Sequence, residues 1–215
     1  MKILLSEIFH SIQGEGPNLG RPSVFLRLGG CNLACSWCDS KFTWNPEISD
    51  NKVATINEVV KKIKSFPCKH LVITGGEPML QQDKITAILK KLPGYTAEIE
   101  TNGSISSKIS PLVEQINCSP KLRSSGNKPY ALKIKPTNKK AIYKFVVQKK
   151  SDLQEIKYYI KSNKIPAEKV YLMPEGTKHT EVLTRSKRLI EICKKEGYHF
   201  TPRLHIMLFG NKRGV

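Results

Sequence analysis

Three cysteines fall between positions 31 and 38, in the run Gly29-Gly30-Cys31-Asn32-Leu33-Ala34-Cys35-Ser36-Trp37-Cys38-Asp39. Gaps of three and two residues let one loop wrap a compact inorganic core. Thiolates are soft ligands that select iron–sulfur clusters, zinc or cuprous copper. A structural zinc site takes four Cys or His ligands, and the histidines nearest this loop are His10 and His70. A zinc knuckle completed by a distant histidine stays open on spacing alone. Three thiolates on a cubane leave one iron without a protein ligand, and metal-assisted chemistry needs such an open position. Cys68, Cys118 and Cys193 stand far apart and read as small buried hydrophobes. Clustering of three of the six cysteines points to a metal or redox site and not to a disulfide framework.

Two more segments carry chemistry. Thr74-Gly75-Gly76-Glu77-Pro78 follows the apolar run Leu71-Val72-Ile73, and paired glycines at a strand end let backbone groups approach a ligand closely. Glu100-Thr101-Asn102-Gly103 ends the next strand, reading either as site residues or as a simple turn.

The elements that must position these residues follow from hydrophobic periodicity. Strands are predicted at 3–9, 22–29, 71–74, 95–101, 144–147, 170–173 and 204–209, and helices at 56–66, 80–91, 152–162 and 180–196. Thr55 with Glu58, and Ser151 with Gln154, read as capping boxes. Residues 119–140, rich in Pro, Gly, Ser, Asn and Lys, read as a long loop. Strands alternating with helices imply βαβ units and a largely parallel sheet. The 215 residues are few for an eightfold barrel of about 250, so the expected α/β fold is a partial, open (β/α) barrel, shortened, in one domain over 1–215.

Composition narrows the class. Hydrophobic residues make up 39% and charged residues 25%, which excludes a disordered chain. No apolar run reaches the roughly 18 to 20 residues of a membrane span. Met1-Lys2-Ile3-Leu4-Leu5-Ser6-Glu7 is too short in its apolar part for a signal peptide, so a cytoplasmic chain is expected. The net charge of +18 suits nucleic-acid binding or a solubilising lysine surface. The lysines lie in scattered pairs with no aromatic platform between them, which favours the second.

The Cys-x3-Cys-x2-Cys loop after a strand, with the Gly-Gly-Glu-Pro turn, resembles the radical S-adenosylmethionine (SAM) superfamily. His10-Ser11-Ile12-Gln13-Gly14-Glu15-Gly16-Pro17, Gly20-Arg21-Pro22-Ser23-Val24-Phe25-Leu26-Arg27, Ser119-Pro120-Lys121 and Met173-Pro174-Glu175-Gly176 narrow this. Together they resemble the 7-carboxy-7-deazaguanine synthase family, from Glu7 to the tail. The resemblance implies a lyase that converts 6-carboxy-5,6,7,8-tetrahydropterin to 7-carboxy-7-deazaguanine and releases ammonia, on the route to queuosine and other 7-deazapurines. It implies a 4Fe-4S cluster on Cys31, Cys35 and Cys38, S-adenosyl-L-methionine, and magnesium at Ser40, where the family often has Thr. It implies a cofactor pocket from Trp37, Cys38, Asp39, Gly76, Ser119, Pro120, Lys121, Met173, Pro174, Glu175 and Gly176. Substrate would meet Ile12, Gln13, Gly14, Arg27 and Thr74. Backbone and amide groups of Ile12, Gln13 and Gly14 can read a guanine-like edge, and Arg27 can clamp the substrate carboxylate. The resemblance further implies a homodimer, a flavodoxin-like electron donor, and a tail over 201–215 that closes the active site. No protein general base is assigned. His205, on the expected last strand, reads as a core histidine.

Two rival readings remain. A glycyl-radical-enzyme activating protein shares the cysteine spacing, but Gln13–Gly16 and Arg27 speak against it. A non-enzymatic, basic metal-binding protein that binds nucleic acid would account for the charge, but not for Gly75–Pro78 after a strand.

Overall fold

Alternating apolar strands and amphipathic helices assemble, in this computed structural model of residues 1–215, into one nine-stranded sheet. Its strands are β1 (Lys2–Ile12), β2 (Pro22–Leu28), β3 (Lys52–Thr55), β4 (His70–Gly75), β5 (Thr96–Thr101), β6 (Gln115–Cys118), β7 (Ala141–Val147), β8 (Val170–Pro174) and β9 (His199–Phe200). The helices are α1 (Ile56–Lys64), α2 (Gln82–Lys90), α3 (Asp152–Asn163), α4 (His179–Glu196) and α5 (Leu204–Phe209). The spatial order is β3-β1-β2-β4-β5-β6-β7-β8-β9. From β2 to β9 every pairing is parallel, while β1 runs antiparallel to both β2 and β3. The end strands β3 and β9 do not pair, so the barrel is partial and open, as expected.

Parallel strands are covered on both faces, and period-2 alternation decides what each face receives. Val24, Leu26, Leu28, Leu71, Ile73, Ile99, Tyr143 and Phe145 belong to the buried core. The alternate residues Phe25, Arg27, Val72, Thr74, Glu100, Lys144 and Val146 line an inner cavity. Register sets Arg27 beside Thr74 and Glu100 beside Asn117.

The antiparallel first strand has a consequence for the site. Ile12 pairs with Pro22 at the start of β2, so the 13–21 loop lies at the end of the barrel opposite the cysteine loop. Arg21 Nη2 donates to Thr96 Oγ1 at the start of β5 (2.9 Å), fixing the loop there.

Local signals succeeded unevenly. The Thr55–Glu58 capping box forms: Glu58 N–H donates to Thr55 Oγ1 (3.2 Å) and Thr55 N–H to Glu58 Oε2 (2.7 Å). The Ser151 box does not. Ser151 already has helical backbone (φ −65°) and makes no capping bond, while the Asp152 carboxylate accepts from the N–H groups of Gln148 and Lys149 (2.8 and 3.0 Å). The strand expected at 204–209 is the helix α5. The sheet ends earlier, at β9, whose last tie is Thr201 N–H to Leu172 O (3.0 Å). Pro202, without an N–H, cannot extend the ladder. His205 is therefore a helical residue facing the cavity and not a core residue of a strand.

Candidate active site

A cavity of about 250 Å³ opens where the inner faces of β1, β2, β4, β5, β7 and β8 meet the cysteine loop and the tail. Cys31, Cys35 and Cys38 all line it. Each sulfur accepts a hydrogen bond: Cys35 from Asn127 Nδ2 (3.1 Å), Cys31 from Leu33 N–H and Cys38 from Trp44 Nε1 (both 3.4 Å). Burial pushes the Cys31 thiol up to about 11, and the neighbouring Glu77, Cys35 and Cys38 add to this. Burial also raises Cys35, against Lys121 and the Asn127 donor. Such thiols hold their protons until a metal replaces them. No three Cys, His, Asp or Glu side chains converge as ligands of a single ion would.

The glycine turn abuts this loop. A Cβ on Gly76 would lie 2.1 Å from Gly30 O, and one on Gly75 (φ +139°) 2.1 Å from Leu28 O. Only glycine allows the two backbones this approach. Glu77, fully buried, pins the turn to the end of β5 by accepting from Met79 N–H (2.9 Å), Thr101 Oγ1 (2.8 Å) and Asn102 N–H (2.7 Å). Asn102 Nδ2 then donates to Asn32 Oδ1 in the cysteine loop (3.0 Å). Two strand ends and the loop thus form one rigid rim. Lys121, whose Nζ donates to Ser119 O and Oγ (2.8 Å each), lies over the Trp37 ring at 5.8 Å.

One wall is cationic and aromatic. Arg27 Nε donates to Glu7 Oε1 (2.7 Å), while its terminal nitrogens make no hydrogen bond within the chain. The guanidinium lies near the rings of Phe9 (5.6 Å) and Phe42 (5.9 Å), and Phe9 stacks on Phe25. Arg213 of the tail covers Phe42 at 3.7 Å and pairs with Asp50 (3.0 Å).

The opposite end is a buried ionic network. Lys144, 3% exposed, donates to Glu15 Oε2 (2.5 Å) and Glu100 Oε2 (2.8 Å). Arg203 pairs with Asp39, reaches Glu15 (3.4 Å) and donates to Gly176 O (2.5 Å). Gln13 Nε2 donates to Glu98, and Asn117 Nδ2 to Glu100 (2.9 Å). Burial opposes ionisation of Glu15, but Lys144, Arg203 and His205 hold its carboxyl well below the usual range. Burial raises Glu100, with Glu15 and Glu98 adding to it against Lys144. Burial lowers His205, although Glu15 beside it favours the imidazolium.

Of the residues singled out in the sequence, Ile12, Gln13, Gly14, Arg27, Cys31, Cys35, Trp37, Cys38, Asp39, Ser40, Thr74, Gly76, Ser119, Lys121 and Met173 line this one cavity. Pro120, Pro174, Glu175 and Gly176 do not. Glu175 faces Arg185 (2.8 Å), and Gly176 supports the wall through Arg203. Gln13 is buried and its side chain is spent on Glu98 and Glu15. Sequence reasoning missed Lys144, Glu15 and Arg203 as site residues. The available signal was a lysine between Tyr143 and Phe145 in an apolar strand, matched by Glu98 and Glu100 alternating through β5.

Thiols, glycine turn and open parallel barrel together define a radical SAM protein, and the Radical SAM superfamily model matches residues 26–210. The chain is 34% identical to the 7-carboxy-7-deazaguanine synthase of Pyrobaculum aerophilum over 99% of its own length and 97% of that protein. It is 35% identical to that of Aquifex aeolicus (94% and 92%). Its fold matches the crystal structure of QueE from Escherichia coli with a TM-score of 0.75 at 26% identity, covering 95% of each chain. Streptococcus suis SuiB bound to S-adenosylmethionine shares the fold alone (TM-score 0.53, 14% identity, 83% of this chain and 50% of that one). The chain belongs to the 7-carboxy-7-deazaguanine synthase family of radical SAM enzymes.

Proposed function

We propose that this chain converts 6-carboxy-5,6,7,8-tetrahydropterin to 7-carboxy-7-deazaguanine with release of ammonia, in queuosine and 7-deazapurine biosynthesis. The observation that carries this is one cavity with three thiols and a glycine rim at one end, a free guanidinium fork on its wall and buried carboxylates at the other end. Cys31, Cys35 and Cys38 would hold a 4Fe-4S cluster. Three soft thiolates that line one cavity suit such a core. When bound, the cluster and S-adenosylmethionine supply the one-electron chemistry that takes a hydrogen atom from the substrate.

The chain's own residues do the rest. Gly75 and Gly76 let a ligand's polar groups approach the backbone, and Trp37, Asp39, Ser119, Lys121 and Met173 shape the space around it. The terminal nitrogens of Arg27 take the substrate carboxylate in a bidentate pair, and Glu7 balances the charge when the site is empty. Thr74 contributes a hydroxyl next to Arg27. Ser40 Oγ, 3.7 Å from Cys38 Sγ, is the proposed magnesium ligand, with substrate oxygens and water completing the shell. Residues 201–205 clasp the 13–16 loop through Gly16 N–H to Thr201 Oγ1 (2.7 Å) and Leu204 N–H to Gly14 O (3.0 Å), which excludes water from that side.

The proposal includes a single catalytic unit over 1–215 closed by its tail, a small one-electron carrier as reductant, a homodimer, and a cytoplasmic setting. No helix is long and apolar enough to cross a membrane. The test is anaerobic cluster reconstitution, followed by reductant, S-adenosylmethionine, magnesium and the carboxypterin, with the deazaguanine read by mass spectrometry. A loaded cluster that cleaves S-adenosylmethionine but yields no deazaguanine would refute the substrate assignment.

A further inference from the structure

Lysine is almost never fully buried without a compensating partner, because removing an ammonium from water is costly. Lys144 is 3% exposed, yet its neighbours Tyr143 and Phe145 belong to the apolar core. A methionine of similar length would fill the same volume without that cost, so the charge has another use. We propose that Lys144 is a positioning residue: it holds Glu15 and Glu100 together and ionised, so that their oxygens accept the N–H groups of the substrate's aminopyrimidinone edge. This rests on the substrate class proposed above.

Geometry carries the inference. Nζ lies 2.5 Å from Glu15 Oε2 and 2.8 Å from Glu100 Oε2, and all three side chains line the cavity. Two carboxylates bridged by one ammonium cannot both stay ionised in a low dielectric once the ammonium is removed. The charged groups facing them are Glu98 on β5, Asp39 in the cysteine loop, Arg203 and His205 on the tail, and Arg27 on β2. His70 on β4 faces Glu98 behind them (3.9 Å). Around this end the carboxylates Glu15, Glu98 and Glu100 outnumber the cations Lys144 and Arg203. Acceptors in excess suit a neutral heterocyclic edge that only donates, a ring N–H beside an amino group. The free guanidinium fork of Arg27 suits an anion. The cavity is polarised, and the substrate carries a carboxylate away from a donor edge in the same sense. The raised Glu100 carboxyl agrees, since it is the group that would take a proton first if the lysine were lost.

The test is calorimetric binding of 7-carboxy-7-deazaguanine, which bears the same edge, between pH 5.5 and 8.5. It compares wild type, Lys144→Met and Lys144→Arg, with S-adenosylmethionine binding as a control. Loss of charge-assisted hydrogen bonds predicts weakening on the order of 10- to 100-fold in Lys144→Met at neutral pH. Affinity should recover as rising pH ionises the second carboxylate. Lys144→Arg should stay within a few-fold, and S-adenosylmethionine affinity should not move. The wild type should also prefer this ligand by a similar factor over its analogue lacking the 2-amino group. Equal wild-type affinity for the two ligands overturns the proposal without recourse to any variant. So does Lys144→Met binding within threefold of wild type with an unchanged pH profile. Binding of neither ligand by wild type refutes the substrate assignment itself.

Discussion

Replacing Gly76 by Ala tests the rim directly. The new methyl would sit 2.1 Å from Gly30 O, 2.6 Å from Gly30 C and 2.9 Å from the Cys31 Cβ. The nearest atoms are backbone and cannot swing aside, so the two chains must part by about 1 Å. Overpacking of this kind costs about 1–3 kcal/mol. The Glu77 N–H to Gly30 O bond (2.9 Å) spans the same gap, and its loss adds about 1 kcal/mol. A total of about 2–4 kcal/mol lowers Tm by about 4–16 °C for a chain of this size. The same displacement moves Cys31 away from Cys35 and Cys38, so cluster loading should fall with stability. Calorimetry of the unloaded protein reads the first effect; iron and sulfide per chain after anaerobic reconstitution read the second. A variant melting within about 2 °C of wild type with full iron content would refute the close-approach reasoning.

Three other outcomes follow from the site. Arg203→Met leaves Asp39 and Glu15 without their shared guanidinium and should cost about 3–5 kcal/mol by urea unfolding, with faster amide exchange at Leu204. Arg27→Ala should weaken 7-carboxy-7-deazaguanine binding by about tenfold or more while leaving S-adenosylmethionine affinity intact; unchanged product affinity would remove the carboxylate clamp. His205 is held neutral below its ordinary pKa by burial, so the unfolded chain binds the proton more tightly. Its contribution to stability is complete above about pH 6.5 and declines as pH falls below that value. Glu15, with its carboxyl depressed, withdraws stability only at more acid pH. Urea midpoints should therefore drop from pH 7.5 to 5.5 in wild type and drop less in His205→Gln.

What could be read in the chain beforehand was local or short-range. The Thr55–Glu58 box, the apolar runs of β2 and β4 and the cysteine spacing each lie within a few residues, and each appears as expected. Ser151 failed because its own backbone is already helical, so the Gln154 N–H is taken by the Ser151 carbonyl (3.2 Å) and not by its hydroxyl. The strands β3, β6 and β9 are two to four residues long and carry too little periodicity to stand out. The tail pattern Leu204-His205-Ile206-Met207-Leu208-Phe209 gives no clear period. Tertiary position, not propensity, makes it helical once Pro202 has ended the sheet. The ionic end of the cavity was hidden for a different reason. Lys144 meets Glu15 across 129 positions of sequence and Arg203 meets Asp39 across 164, and only the tertiary fold says which charges become neighbours.

The sheet never joins its two ends, and what crosses the gap near its last strand is two backbone donors, of Gly16 and Leu204, and the Arg203 guanidinium on Glu15 and Asp39. A seam of that kind can part by breaking a few hydrogen bonds while every strand keeps its partners. Its opening is a local event, far cheaper than global unfolding. If substrate enters and product leaves there, the frequency with which the seam parts caps the turnover rate. Deuterium uptake at Gly16 and Leu204 would then run well ahead of uptake in β4 and β5, and would slow when the cavity is filled.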